Sequence, residues 1–185
     1  MTPSLIILQG GEDVNERTNR SMFTFIARTS RTKKVLVIPW TSVSKRKEKQ
    51  YREIYRRYLL NVGFEKVLFL EKDDSVTEID NKFSIADVVY LPGGDTEILK
   101  KEIEKLSIQK KLKRFKGTII GNSAGAIVLS RGGQGDGKFY EGFGLVDIYV
   151  EVHFNFKSDQ LESIKEGYII GIPEDGWIAI QSTSS

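Results

Sequence analysis

Short runs that are apolar except at their ends alternate with longer stretches in which apolar residues return every three or four positions, and this alternation continues from residue 5 to residue 129. Leu5–Gln9, Lys34–Pro39, Lys66–Leu70, Asp87–Leu91 and Thr118–Ile120 are the short runs. They are too brief for helices and lack polar interruptions, which predicts strands buried on both faces. The intervening stretches predict helices. The first runs from about Asn15 to Arg28 with Met22, Phe25 and Ile26 inward. The second starts near Ser44, carries Tyr51, Ile54, Tyr55, Tyr58 and Leu59 inward, and stops at Gly63. Ser75-Val76-Thr77-Glu78 has capping-box spacing and opens a helix with Val76, Ile79 and Phe83 inward. Asp95 suits the N-cap of a helix holding Ile98, Leu99 and Ile103. Ile108, Leu112 and Phe115 continue a helical stripe. Strand and helix in alternation, five strands deep, predict an α/β fold with a doubly wound, mostly parallel sheet and helices on both faces. No internal repeat or linker breaks the chain, so one domain over residues 1–185 is expected.

In such sheets a ligand lies beyond the carboxyl ends of the strands. Three turns of small residues fall there: Gly10-Gly11, Pro92-Gly93-Gly94-Asp95 and Gly121-Asn122-Ser123-Ala124-Gly125. The last is a Gly-x-Ser-x-Gly pattern between an apolar strand and an apolar helix, the arrangement of a nucleophile elbow. A serine in that turn holds a strained backbone, so the residues two positions either side must be small. The alternative is a serine that only caps the helix.

The later chain is less regular. Ser130–Gly137 is rich in glycine and reads either as a lid or a substrate loop, or as a solvated connector. Leu145–Phe154 predicts a strand with Tyr149, Glu151 and His153 on one face and Val150, Val152 and Phe154 on the other. A helix is expected near Ser158–Glu166. Tyr168–Ile172 and Trp177–Ile180, joined by Pro173-Glu174-Asp175-Gly176, read as a hairpin or an arc.

Composition narrows the chemistry. The 185 residues contain no cysteine, which removes thiolate catalysis, disulfides and cysteine-bound metal. There is one histidine, so a multi-histidine zinc site is impossible and any histidine base must be His153. Neither a metal nor a cofactor is expected. The net charge of +3 is too small to argue for nucleic acid. Lys45, Arg46, Lys47, Lys49, Arg52 and Arg56 fall on the outer face of the second helix and read as a solvated face. No apolar run reaches membrane-spanning length. The opening Met1–Leu8 lacks the features of a signal peptide, so a cytoplasmic location is expected. The sequence is compatible with a homodimer without requiring one.

Acyl transfer by serine needs a base, a carboxylate to orient it and donors for the oxyanion. Ser123 fills the place of the nucleophile and His153 that of the base. The amides of Ala124 and of Gly93 or Gly94 suit the oxyanion. Asp136, Glu141, Glu151 and Glu174 are all candidates for the carboxylate, and spacing does not choose among them.

The Gly93-Gly94-Asp95-Thr96 turn, the Gly121-x-Ser123-Ala124-Gly125-Ala126 elbow, the His153-Phe154 pair and Ile170-Gly171-Ile172-Pro173-Glu174-x-x-Trp177-Ile178 together resemble the peptidase E and cyanophycinase family of serine peptidases. Leu8-Gln9-Gly10-Gly11-Glu12-Asp13 is more similar to the cyanophycinase branch. The resemblance implies a flavodoxin-like fold akin to class I glutamine amidotransferases, with Ser123 as nucleophile and His153 as base. It places Glu174 where the family has a glutamate on a mobile loop, with Asp136 near another candidate aspartate, and Glu174 is preferred. It implies hydrolysis of small peptides, among them aspartyl dipeptides. The family's arginine after the histidine has no counterpart: Phe154–Gly167 offers only Lys157 and Lys165. An isoaspartyl-peptide hydrolase or an esterase would use the same residues, and a binding protein without catalysis is the alternative of another class.

Overall fold

The computed structural model describes residues 3–156 and 168–181. The expected helix near Ser158–Glu166 and the lysines at 157 and 165 lie outside the described residues. Five strands, β1 (Leu5–Gln9), β2 (Lys34–Val37), β3 (Lys66–Phe69), β4 (Val88–Leu91) and β5 (Thr118–Asn122), run parallel in the order β1-β5-β4-β2-β3. A sixth, β10 (Trp177–Gln181), pairs antiparallel with β1 and closes that edge. This is the α/β, flavodoxin-like architecture that the alternation predicts.

The strands are apolar throughout because both faces are covered. On one face Ile7, Val35, Val37, Val88 and Ile120 pack against α1 (Arg20–Thr29) and α2 (Lys45–Asn61) through Phe23, Tyr55, Tyr58 and Leu59. On the other, Leu8, Leu36, Val89, Leu91 and Ile119 meet α3 (Val76–Ile85), α4 (Thr96–Lys105), α5 (Ile108–Arg114) and α6 (Ala124–Leu129). Leu99 of α4 is fully buried in this second layer. Leu99→Ala is expected to cost about 2–5 kcal/mol through lost transfer energy and a residual cavity. Denaturant unfolding checks this, as a lower midpoint at unchanged m-value.

The caps form as the sequence predicts. Ser75 and Glu78 make the reciprocal capping box, and Asp95 accepts from the Ile98 amide at 2.9 Å. Three inward assignments are corrected. Phe25 and Val76 are 62% and 71% exposed, and Phe23 takes the buried position in α1. That helix begins only at Arg20, so its buried stripe is Met22, Phe23, Ile26 and Ala27. Tyr51 is 46% exposed because it stands near the start of α2, at the open rim of the sheet.

Half of the glycine-rich stretch is strand and not a solvated connector. Gly132–Gly135 forms β6, which pairs antiparallel with β7 (Lys138–Glu141) and parallel with β8 (Tyr149–Val152). β9 (Ile169–Ile172) completes this second sheet, in the order β7-β6-β8-β9. Val150 and Val152 anchor it in the core shared with α6. β9 and β10 are therefore the two limbs of an arc between sheets, not a hairpin. Among the described residues no helix is long and apolar enough to cross a membrane.

Candidate active site

The site is assembled at the carboxyl rim of the first sheet. Ser123 occupies the single residue between β5 and α6, with φ 48° and ψ −105°. A positive φ is strained for a side-chain-bearing residue, and the surroundings hold it. The Ser123 amide donates to the Gln9 carbonyl at 3.0 Å, and its carbonyl accepts from Ile127 at 3.1 Å. A side chain at Gly125 would overlap the Leu91 carbonyl, so β4 can lie close beneath the turn. Ser123 is not a simple cap: its side chain makes no capping hydrogen bond.

His153 follows β8 immediately and also has a positive φ, 54°. Its side chain therefore leaves the alternation of the strand. The His153 amide donates to the Gly10 carbonyl at 2.9 Å, which ties the second sheet to the loop after β1. The ring then reaches the elbow: Nε2 stands 2.8 Å from Ser123 Oγ. Nδ1 contacts the Glu174 carboxylate.

Glu174 arrives from the other direction. β10 runs antiparallel to β1 with Trp177 opposite Gln9, so the turn before β10 must lie over the end of β1. That turn is pinned by the Asp175 amide to the Gly11 carbonyl at 3.2 Å, and by the Gly10 amide to the Gly176 carbonyl at 3.0 Å. Gly11 fits between the partners: a side chain there would overlap both the Glu174 carboxylate and the His153 ring. One short loop, Gly10–Gly11, thus supports both His153 and Glu174.

The remaining sequence candidates separate. Gly93 stands beside the elbow, the position of a side chain on it being 3.4 Å from Ser123 Cβ, and Gly94 follows at φ 134°. Ala124 opens α6 directly after the serine. Asp136 is exposed at the β6–β7 turn, where it shares with Ser123 and His153 a small cavity of about 110 Å³. The His153 Nδ1 contact goes to Glu174 and not to Asp136. Glu141 lies within β7, paired with Gly132, and Glu151 within β8, paired with Gly171.

A larger cavity of about 540 Å³ opens on the other side of Ser123 and His153. Its lining includes Glu12, Lys47, Tyr51, Tyr55 and Asn122, none of which sequence reasoning assigned to the site. The only available signal was position: Glu12 follows a rim glycine turn, and Asn122 is the last residue of a central strand. Glu12 is held by the Tyr58 hydroxyl and, at 3.3 Å, by the Asn19 amide. Burial raises the Glu12 carboxyl above its ordinary range, against the lowering effect of the Tyr58 hydrogen bond. Burial likewise raises the phenols of Tyr55 and Tyr58, the latter further through its bond to Glu12. Among the described residues no group of three or more acidic or histidine side chains is arranged to hold a metal.

Comparison with solved structures agrees with this architecture. A peptidase from an acI-B1 actinobacterium superposes with a TM-score of 0.75 at 20% identity, covering 97% of this chain and 84% of that one. A candidate peptidase E protein from Listeria monocytogenes EGD-e superposes with a TM-score of 0.73 at 21% identity, covering 100% of this chain and 96% of that one. At such identities these likenesses concern the fold. No curated protein matches the sequence. The family model of peptidase family S51 matches residues 5–184, a span that takes in Ser123, the histidine after β8 and the arc before β10. On that match the chain belongs to peptidase family S51, a family of serine peptidases, and is a hydrolase.

Proposed function

We propose that the protein hydrolyses small peptides, aspartyl peptides among them, through an acyl-enzyme formed on Ser123. His153 Nε2 takes the hydroxyl proton as Oγ attacks the scissile carbonyl. The oxyanion of the tetrahedral intermediate is received by the Ala124 amide and an amide of Gly93 or Gly94. Collapse breaks the C–N bond while His153 gives its proton to the leaving amine. Water, deprotonated by the same ring, then attacks the ester, and the acid product leaves with Ser123 restored. Glu174 accepts from Nδ1–H, which keeps Nε2 free to act as the base and stabilises the imidazolium.

The observation that carries the reading is the unbroken line from Ser123 Oγ through the His153 ring to Glu174, mounted on a positive-φ elbow in a chain of this family. The 540 Å³ cavity favours a small substrate. Among the described residues Lys47, which is exposed, is the one lysine or arginine in the lining, and it suits an aspartyl or terminal carboxylate. The test joins labelling to turnover. A fluorophosphonate should modify Ser123 stoichiometrically, and Asp-X dipeptides should be cleaved faster than β-aspartyl peptides and short esters. An unlabelled Ser123 would discard the mechanism. A faster β-aspartyl substrate or ester would keep the mechanism and change the substrate.

A further inference from the structure

Among the described residues three carboxyl side chains line the 540 Å³ cavity: Glu12, Asp13 and Glu174. Two are occupied. Glu174 is engaged by His153, and Asp13 accepts from the Asn15 and Glu16 amides of its own turn at 2.8 and 3.1 Å. Glu12 is different. Its Oε1 accepts from Tyr58 and Asn19, whereas its Oε2 is buried with no hydrogen-bond partner.

The same cavity is lined by Asn122, only 4% exposed, whose Oδ1 is also without a partner. Its neighbour across the β1–β5 pairing is Gln9, fully buried, with neither amide atom satisfied. Gln9 lies near Glu12 and Asn122 near the Tyr90 hydroxyl, yet neither contact reaches hydrogen-bond geometry. Buried polar atoms without partners are costly, and natural interiors rarely keep them. A group of them beside a nucleophile is what a site looks like when the ligand supplies the partners, and the Glu12 Oε2 and Asn122 Oδ1 atoms among them are acceptors. The adjoining wall is aromatic: the Tyr51 and Tyr55 rings stack with centroids 6.1 Å apart and both line the cavity. Carboxylate, amide oxygen and tyrosine faces in one recess favour a cation.

We propose that Glu12 is a specificity-determining residue that receives a cationic amine of the substrate, with Asn122 as a second acceptor. The proposal rests on the peptidase reading above. Position limits which amine. Gly11 abuts the His153 ring and the Glu174 carboxylate, and Glu12 is the next residue, its Cα about 3.8 Å further on. Glu12, Ser123 and His153 line one cavity, so a cation at Glu12 is carried by the substrate whose carbonyl Ser123 attacks. It belongs to the residue that supplies that carbonyl, as its free α-amino group or as a side-chain amine. Lys47 disfavours a cation further out at the rim. A bound ammonium would also offset the burial cost of the Glu12 carboxylate.

Alanyl, N-acetylalanyl and N-acetyllysyl p-nitroanilides distinguish the sources. In the unaltered protein, alanyl p-nitroanilide is expected to exceed its N-acetyl form in kcat/KM by roughly 10- to 100-fold. Recovery of the rate by the N-acetyllysyl compound would assign the amine to the side chain, and either pattern supports Glu12. Glu12→Gln should bring the ratio of amine-bearing to neutral substrate toward one, and Glu12→Asp should retain part of it. Damage to the fold would lower all rates together and leave the ratio unchanged. Equal rates for the three compounds, or a preference untouched by Glu12→Gln, would overturn the proposal. Should none be hydrolysed, calorimetry on Ser123→Ala with alanine amide and N-acetylalanine amide decides: tighter binding of the free amine supports it, and equal binding refutes it. Failure of the peptidase reading itself shows separately, as absent fluorophosphonate labelling of Ser123.

Discussion

Ser123→Ala is expected to lower turnover of the best peptide substrate by about 10⁴-fold. The substitution removes the attacking oxygen and leaves the remaining site in place. Alanine meets the same cost as serine at a φ of 48°, so the elbow itself should persist. Because Oγ and the His153 ring act on one proton, the losses should not add. Ser123→Ala/His153→Ala is expected to be about as slow as either single variant, as seen when members of one catalytic unit are removed together. Steady-state kinetics on the three proteins, each with far-UV circular dichroism as a check on folding, measures this. A multiplicative loss in the double variant would mean that the two side chains act independently, against the 2.8 Å contact between them.

The second large effect separates two carboxylates that the sequence leaves in competition. Glu174→Gln should reduce kcat/KM by about 10²- to 10⁴-fold. The amide keeps the size of the side chain and removes the charge that stabilises the imidazolium and selects its tautomer. Asp136→Asn should cost no more than about tenfold, mainly in KM, since Asp136 faces the small cavity across the site and does not bond to His153. The reverse ranking would move the orienting role to the β6–β7 turn. Both residues are exposed and lie in turns, so neither substitution should greatly change stability.

The first sheet was legible because its signals are local. Val35–Ile38 and Val88–Leu91 are apolar without interruption, which requires cover on both faces whatever the partners are. Asp95 and the Ser75–Glu78 box bond within their own turns, so a few consecutive residues suffice to place those helix starts. Errors arose where burial depends on distant elements. Phe25 and Phe23 are both apolar residues of one helix, and which of them faces Tyr58 and Tyr90 is set by how that helix lies on the sheet. Gly132–Gly135 has the composition of a loop, yet it is held as a strand by partners that come later in the chain, Lys138–Glu141 and Tyr149–Glu151.

The sequence alone determined the α/β alternation, the tight strand-to-helix turn at Ser123 and, through its single histidine, the identity of any imidazole base. Each follows from short-range constraint: apolar periodicity, the small residues a strained turn demands, and a count of one. Only the tertiary structure decided that the imidazole meets Ser123, that Glu174 and not Asp136 stands behind it, and that Glu12 and Asn122 line the cavity. Those outcomes depend on pairings between residues more than a hundred positions apart. β10 must lie antiparallel to β1 to carry Glu174 over Gly11, and the end of β8 must be held at Gly10 for the ring to turn toward the rim. Such contacts are fixed by the packing of two sheets around one loop, and no local pattern encodes them.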